Sequence, residues 1–124
     1  MEITRIIQSA FPKISDAPEI SDEFITRNQN LMELDEVSDY LKVVPAYMLW
    51  CVKYKDDELV DEYTISSLAE YGKTKSKGNA YLNFMYLCNN EQKVAVIKFL
   101  EWCINEISTI DTAQVQRVIK NWSH

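Results

Sequence analysis

The sequence predicts an all-α fold, a single-domain helical bundle of five to seven helices. Three observations carry the prediction. Only two glycines and three prolines occur in 124 residues, whereas an all-β sandwich or barrel needs turn residues every ~8–12 positions. Apolar residues recur at steps of three and four along most of the chain. Hydrophobic residues make up 47% of the total, which suffices for a packed core without disulfides or metals at this length. No internal repeat and no composition break divides the chain, so residues 1–124 are expected to form one domain.

The elements follow in order. Ile3, Ile6, Ile7 and Ala10 share one helical face between Glu2 and Phe11, and Pro12 ends that helix. Residues 13–21 read as a loop, after which Ser21 can cap a short helix from Asp22 to Asn28, with Asp22 and Glu23 in its first turn. Leu31, Leu34, Val37, Leu41 and Val44 form a helical stripe over 31–44, opposite an acidic face of Glu33, Asp35, Glu36 and Asp39. Pro45 is expected to open a new helix. Ala46 to Lys55 is apolar on nearly every side, as in a helix at the middle of a core.

Asp56 to Glu62 (DDELVDE) is an acidic run. Tyr63 to Ile65 can be extended and Ser66 to Tyr71 helical. Gly72 to Gly78 (GKTKSKG) reads as a solvated loop. Ala80 to Cys88 is apolar and of undecided type. Asn90 offers a cap for a helix from Glu91 to Ser108 that would bury Val94, Ile97, Leu100, Ile104 and Ile107. Asp111 caps the last helix, with Val115, Val118, Ile119 and Trp122 on one face.

Most chemistries find no support in the residue inventory. The single histidine is His124, so a Ser–His or Cys–His arrangement and a zinc site are both poorly served. Cys51, Cys88 and Cys103 are odd in number, lie in apolar surroundings and form no C-x-x-C pair; they read as buried reduced thiols of a cytoplasmic protein. The acidic run lacks the glycine and ligand alternation of a calcium loop. Ser67 to Thr74 (SLAEYGKT) ends like a phosphate loop, but its first glycine is missing and it follows a helix instead of opening one. Paired carboxylates at i,i+4, Asp57 with Asp61 or Glu58 with Glu62, leave acid–base chemistry formally open. The bland reading of these acids is a solvated face. The chain is therefore read as a non-enzyme with no cofactor and no metal.

Charge is the sharper signal. The net charge is −6, and residues 1–62 carry 14 acids against 6 bases (net −8) while residues 63–124 carry 5 against 7 (net +2). This balance argues against direct nucleic-acid or membrane binding. It suits a basic partner protein. Val43 to Val52, the most apolar stretch, is ten residues long, about half of what a membrane helix needs. Glu2 and Arg5 interrupt any leader-like run at the start. If the intervening segments fold back, the acids at 33–39 and 56–62 would form one negative surface. The residues expected to bind a partner are Asp35, Glu36, Asp39, Tyr54, Asp56, Asp57, Glu58, Asp61, Glu62 and Tyr63, the tyrosines serving as amphipathic anchors.

Two segments carry a resemblance. Tyr40 to Leu49 reads Y-L-x-x-x-P-A-Y-M-L, and Gln92 to Leu100 reads Q-K-x-x-V-x-x-F-L. Together they resemble a family of small, uncharacterised, single-domain bacterial proteins of unknown function. The resemblance covers residues 31–105 and implies a fold but brings no catalytic residues. With the small size, acidity and lack of catalytic groups, the expectation is an immunity protein that neutralises a basic nuclease toxin by masking its active surface, acting as a monomer. A non-catalytic scaffold or regulatory module is the alternative.

Overall fold

The computed structural model describes residues 2–16, 18–34, 39–56, 59–73 and 83–123. These form seven α-helices and two short 3-10 turns, with no strand among the described residues. The helices are α1 (Glu2–Ala10), α2 (Asp22–Arg27), α3 (Tyr40–Lys53), α4 (Val60–Lys73), α5 (Phe84–Leu87), α6 (Asn90–Glu106) and α7 (Thr112–Trp122).

α3 is the axis of the bundle. Val43 to Met48 and Trp50 to Val52 are all buried, the all-round apolar helix expected from its composition. Its start differs from expectation. Leu31–Glu33 is a 3-10 turn and Leu34 is extended, so the predicted helix over 31–44 breaks. Asp39 then caps α3, its Oδ1 accepting from the Leu41 N–H at 2.9 Å. A short acidic side chain that bonds nearby backbone favours a cap over a helix interior.

Pro45 consequently lies inside α3 and does not open a separate helix. An interior proline removes the hydrogen bond to the carbonyl four residues back and costs about 3 kcal/mol. Burial of Val43, Val44, Ala46, Tyr47 and Met48 on either side offsets that cost.

α1 packs on α3 and α6, while α7 packs on α4 and α6. α4 is helical throughout, which corrects the extended reading of 63–65. Val60, Thr64, Ile65, Leu68 and Tyr71 are buried at helical spacing, so the buried face overrides the local preference of the β-branched residues. The helix also runs through Gly72 and Lys73, two residues past its expected end.

Within the undecided segment Phe84–Leu87 forms one helical turn, α5, while residues 80–82 lie outside the described residues. Phe84 on it is fully buried, with ring centroids 5.4 Å from Tyr71, 5.8 Å from Trp122 and 6.1 Å from Phe11. α6 begins one residue earlier than expected, at a capping box. Asn89 accepts from the Gln92 N–H at 2.8 Å and Gln92 Oε1 accepts from the Asn89 N–H at 2.9 Å. Its buried face is also rotated from the expected one. Gln92, Ala95, Val96, Phe99, Leu100 and Cys103 face inward, while Val94 is 52% exposed. α7 is capped by Asp111 and buries Val115, Val118 and Trp122, as the sequence indicates.

The residues of both resemblance motifs are largely packing residues here. Pro45 to Met48, Val96, Phe99 and Leu100 are all buried.

Candidate functional site

Among the described residues, the acids of the two segments lie at opposite ends of α3 and do not form one surface. Asp39 stands at the N-terminal end of α3 and Asp56 lies just beyond its C-terminal end. A 14-residue helix separates them, about 21 Å at 1.5 Å per residue. Asp35, Glu36, Asp57 and Glu58 lie outside the described residues.

The remaining predicted residues divide by what they already hold. Asp39 caps α3 and pairs with Lys13 at 3.4 Å. Tyr54 donates its hydroxyl to Asp22 Oδ2 at 2.6 Å, and its ring packs 5.0 Å from that of Trp50. It ties α2 to the end of α3, so it is not a spare anchor. Asp61 is only 6% exposed, which removes it from the solvated face the sequence suggested. Glu62 is exposed and Tyr63 half-buried.

Asp56 and Asp61 instead build a joint between loops. Asp56 has φ of 64°, the left-handed conformation that aspartate tolerates better than most residues. Its backbone N–H donates to Asp61 Oδ2 at 2.9 Å, and its own Oδ1 accepts from the Ser108 N–H at 3.1 Å. Lys55 reaches Glu106 at 3.0 Å beside it. These bonds fasten the α3–α4 connection to the α6–α7 connection.

Behind Asp61 the interior is polar on one side. Cys51, fully buried, faces Asp61 and Thr64. Burial raises the Cys51 thiol pKa most, the Asp61 charge adds to the rise, and a hydrogen bond with Thr64 opposes it. All three thiols are free, buried and pushed up by desolvation. A thiol held protonated is a poor nucleophile and a poor metal ligand. Among the described residues, no group of three or more His, Cys, Asp or Glu side chains is disposed to hold a metal ion.

The joint gathers carboxylates that are distant in sequence. Asp56, Asp61, Glu62, Glu106 and Asp111 meet at one pole of the bundle, where α3 and α6 end and α4 and α7 begin. Asp61, Glu62 and Asp111 are also at helix N-termini, where negative charge is favourable. A pocket of about 230 Å³ opens there, with Asp61, Glu62 and Asp111 beside Ile65, Ile107, Ile110 and Val115. The lysine-bearing stretch that resembles a phosphate loop contributes nothing comparable: Gly72 and Lys73 end a helix, and Thr74 lies outside the described residues.

No protein-family model, curated protein or solved structure matches the chain. Function must therefore be argued from this pole and its pocket. The sequence reading missed Asp111 and Glu106 as members, because both belong to the half of the chain with a slightly basic balance. The cap pattern at Asp111 was legible; its position beside Glu62 depends on α4 packing against α7. No helix among the described residues is long and apolar enough to cross a membrane.

Proposed function

We propose that the protein is a protein-binding inhibitor of the immunity type, neutralising a basic nuclease toxin by covering its active surface. The observation that carries this reading is the acidic pole. Five carboxylates from four chain segments stand at this pole, where Lys55 pairs with Glu106. A field of one sign on one end of a small protein speeds encounter with an oppositely charged partner and sets its orientation. The family resemblance, a bacterial single-domain protein without catalytic residues, is in keeping with it.

The test is kinetic. The purified chain is mixed with basic nuclease domains encoded beside it, and both nuclease inhibition and association rate are followed from low to high salt. One-to-one inhibition with an association rate that falls steeply with salt is expected. The Glu62→Ala variant should slow association and flatten the salt dependence. A rate indifferent to salt removes the charge-steering argument, and a nuclease left active removes the inhibitor reading.

One observation favours a second reading, a non-catalytic interaction module. Two adjoining depressions follow the α1–α6 seam and share Glu2 and Ile6, with Trp102 at one end and the exposed Val94 at the other. A partner that bound there with unchanged affinity in Glu62→Ala would favour the module.

A further inference from the structure

We infer that the pocket at the acidic pole receives a single arginine side chain of the basic partner, an assignment that rests on the partner-binding reading above. Size is the first argument. At about 230 Å³ the pocket is smaller than the roughly 300–1,000 Å³ of sites for drug-sized ligands, and it suits one long side chain. The lining is the second. Ile65, Ile107, Ile110 and Val115 offer apolar wall to a methylene stem, and three carboxylates line the same space.

Charge complementarity then selects the head group. Asp61 and Glu62 come from α4 and Asp111 from the start of α7, and no lysine or arginine is among the described lining residues. Asp111 commits Oδ1 to the Gln114 N–H, and Asp61 commits Oδ2 to the Asp56 N–H. Glu62 of α4 is exposed and lines the same pocket as Asp111. A guanidinium presents several donors in a rigid plane and can meet carboxylates of two elements at once. It is also more weakly hydrated than an ammonium, so it enters an apolar-walled pocket at lower desolvation cost.

The test uses the full chain with isoleucine methyl groups labelled for NMR. N-acetyl-arginine amide, its uncharged citrulline counterpart, N-acetyl-lysine amide and calcium chloride are titrated separately at constant ionic strength. Saturable shifts of the Ile65, Ile107 and Ile110 methyls with the arginine compound are expected, weaker with lysine and absent with citrulline. In the double variant Glu62→Gln, Asp111→Asn the arginine affinity should fall at least tenfold. The second substitution keeps a side chain that can cap α7, so an unchanged melting temperature separates lost charge from lost fold. Equal responses to citrulline or lysine, the same shifts with calcium, or full arginine affinity in the double variant would each overturn the assignment. A toxin bound as tightly by the double variant as by the wild type would overturn it while leaving the inhibitor reading in place. Arginine binding in the pocket, with every basic nuclease left active, would overturn the inhibitor reading alone.

Discussion

The indole of Trp122 lies where a side chain on Gly72 would stand: a Cβ built at Gly72 comes within 2.9 Å of both Cδ1 and Nε1 of the ring. The same Nε1 donates to the Leu68 carbonyl at 2.9 Å, joining the end of α7 to α4. Gly72→Ala therefore pits two effects against each other. Alanine gains about 1 kcal/mol of helix propensity over glycine. The clash falls on a ring that is 1% exposed and hydrogen-bonded, and overpacking of that kind costs about 1–3 kcal/mol. Net destabilisation is expected in a denaturant melt. Gly72→Ala paired with Trp122→Phe should show a smaller penalty than the separate costs sum to, because the smaller ring leaves room for the methyl group.

Gln92 holds two chain segments with one amide. Its Oε1 completes the capping box of α6, and its Nε2 donates to the Ala10 carbonyl at the end of α1 at 3.1 Å. Gln92→Ala should cost about 1–3 kcal/mol, the usual penalty for leaving a buried group without its hydrogen bond. Gln92→Glu keeps the acceptor for the cap but turns a carboxylate oxygen toward the Ala10 carbonyl. It is expected to be at least as destabilising at neutral pH and to recover partly in acid, where the carboxyl can donate. Urea melts at two pH values distinguish these outcomes.

Asp22 sets an acid limb. The Tyr54 hydroxyl, then Lys53, hold its carboxyl below the ordinary value of 3.8. A carboxylate with a depressed folded pKa contributes stability that is fully present above its unfolded value. That contribution is lost as pH falls through the lowered value, so the loss lies on the acid side of 3.8. The side chain is 48% exposed, and solvent screening keeps the effect below about 1 kcal/mol. Tyr54→Phe should move the Asp22 carboxyl back toward its ordinary range, as read by NMR titration. An unmoved titration would show that Lys53 suffices.

The three thiols should be silent in the folded protein. Burial pushes Cys88 up to about 12 and raises Cys51 and Cys103 as well. Reaction with a thiol reagent near pH 8 should therefore follow opening of the structure, not intrinsic thiolate chemistry. Near the denaturation midpoint all three should label together. One thiol reacting rapidly in native buffer would contradict its burial.

Much of the fold was legible in the sequence because helices announce themselves locally. The 3.6-residue spacing marked α1 and α7, Ser21 and Asp111 marked the caps of α2 and α7, and the all-round apolar composition marked α3 as central. The errors share one cause. Pro45, Tyr63–Ile65 and the face of α6 were read from local preference and stripe. In each case burial against other helices chose the outcome: Pro45 is carried inside α3, Thr64 and Ile65 are helical and buried, and Val94 faces outward while Gln92 turns in.

The candidate site was legible only in part. The excess of acid near residue 60 is a property of the sequence, and Glu62 stands exposed at the pole as expected. Asp61 could not be told from its neighbours, since a buried carboxylate and a solvated one look alike in a run of acids. Composition and periodicity thus determined an acidic, all-helical chain, because charge counts and helical faces are properties of short stretches. Tertiary structure alone decided which carboxylates meet. Asp39 and Asp56 are held apart by the rigid length of α3, while Asp61 and Asp111 are brought to one pocket by the packing of α4 on α7.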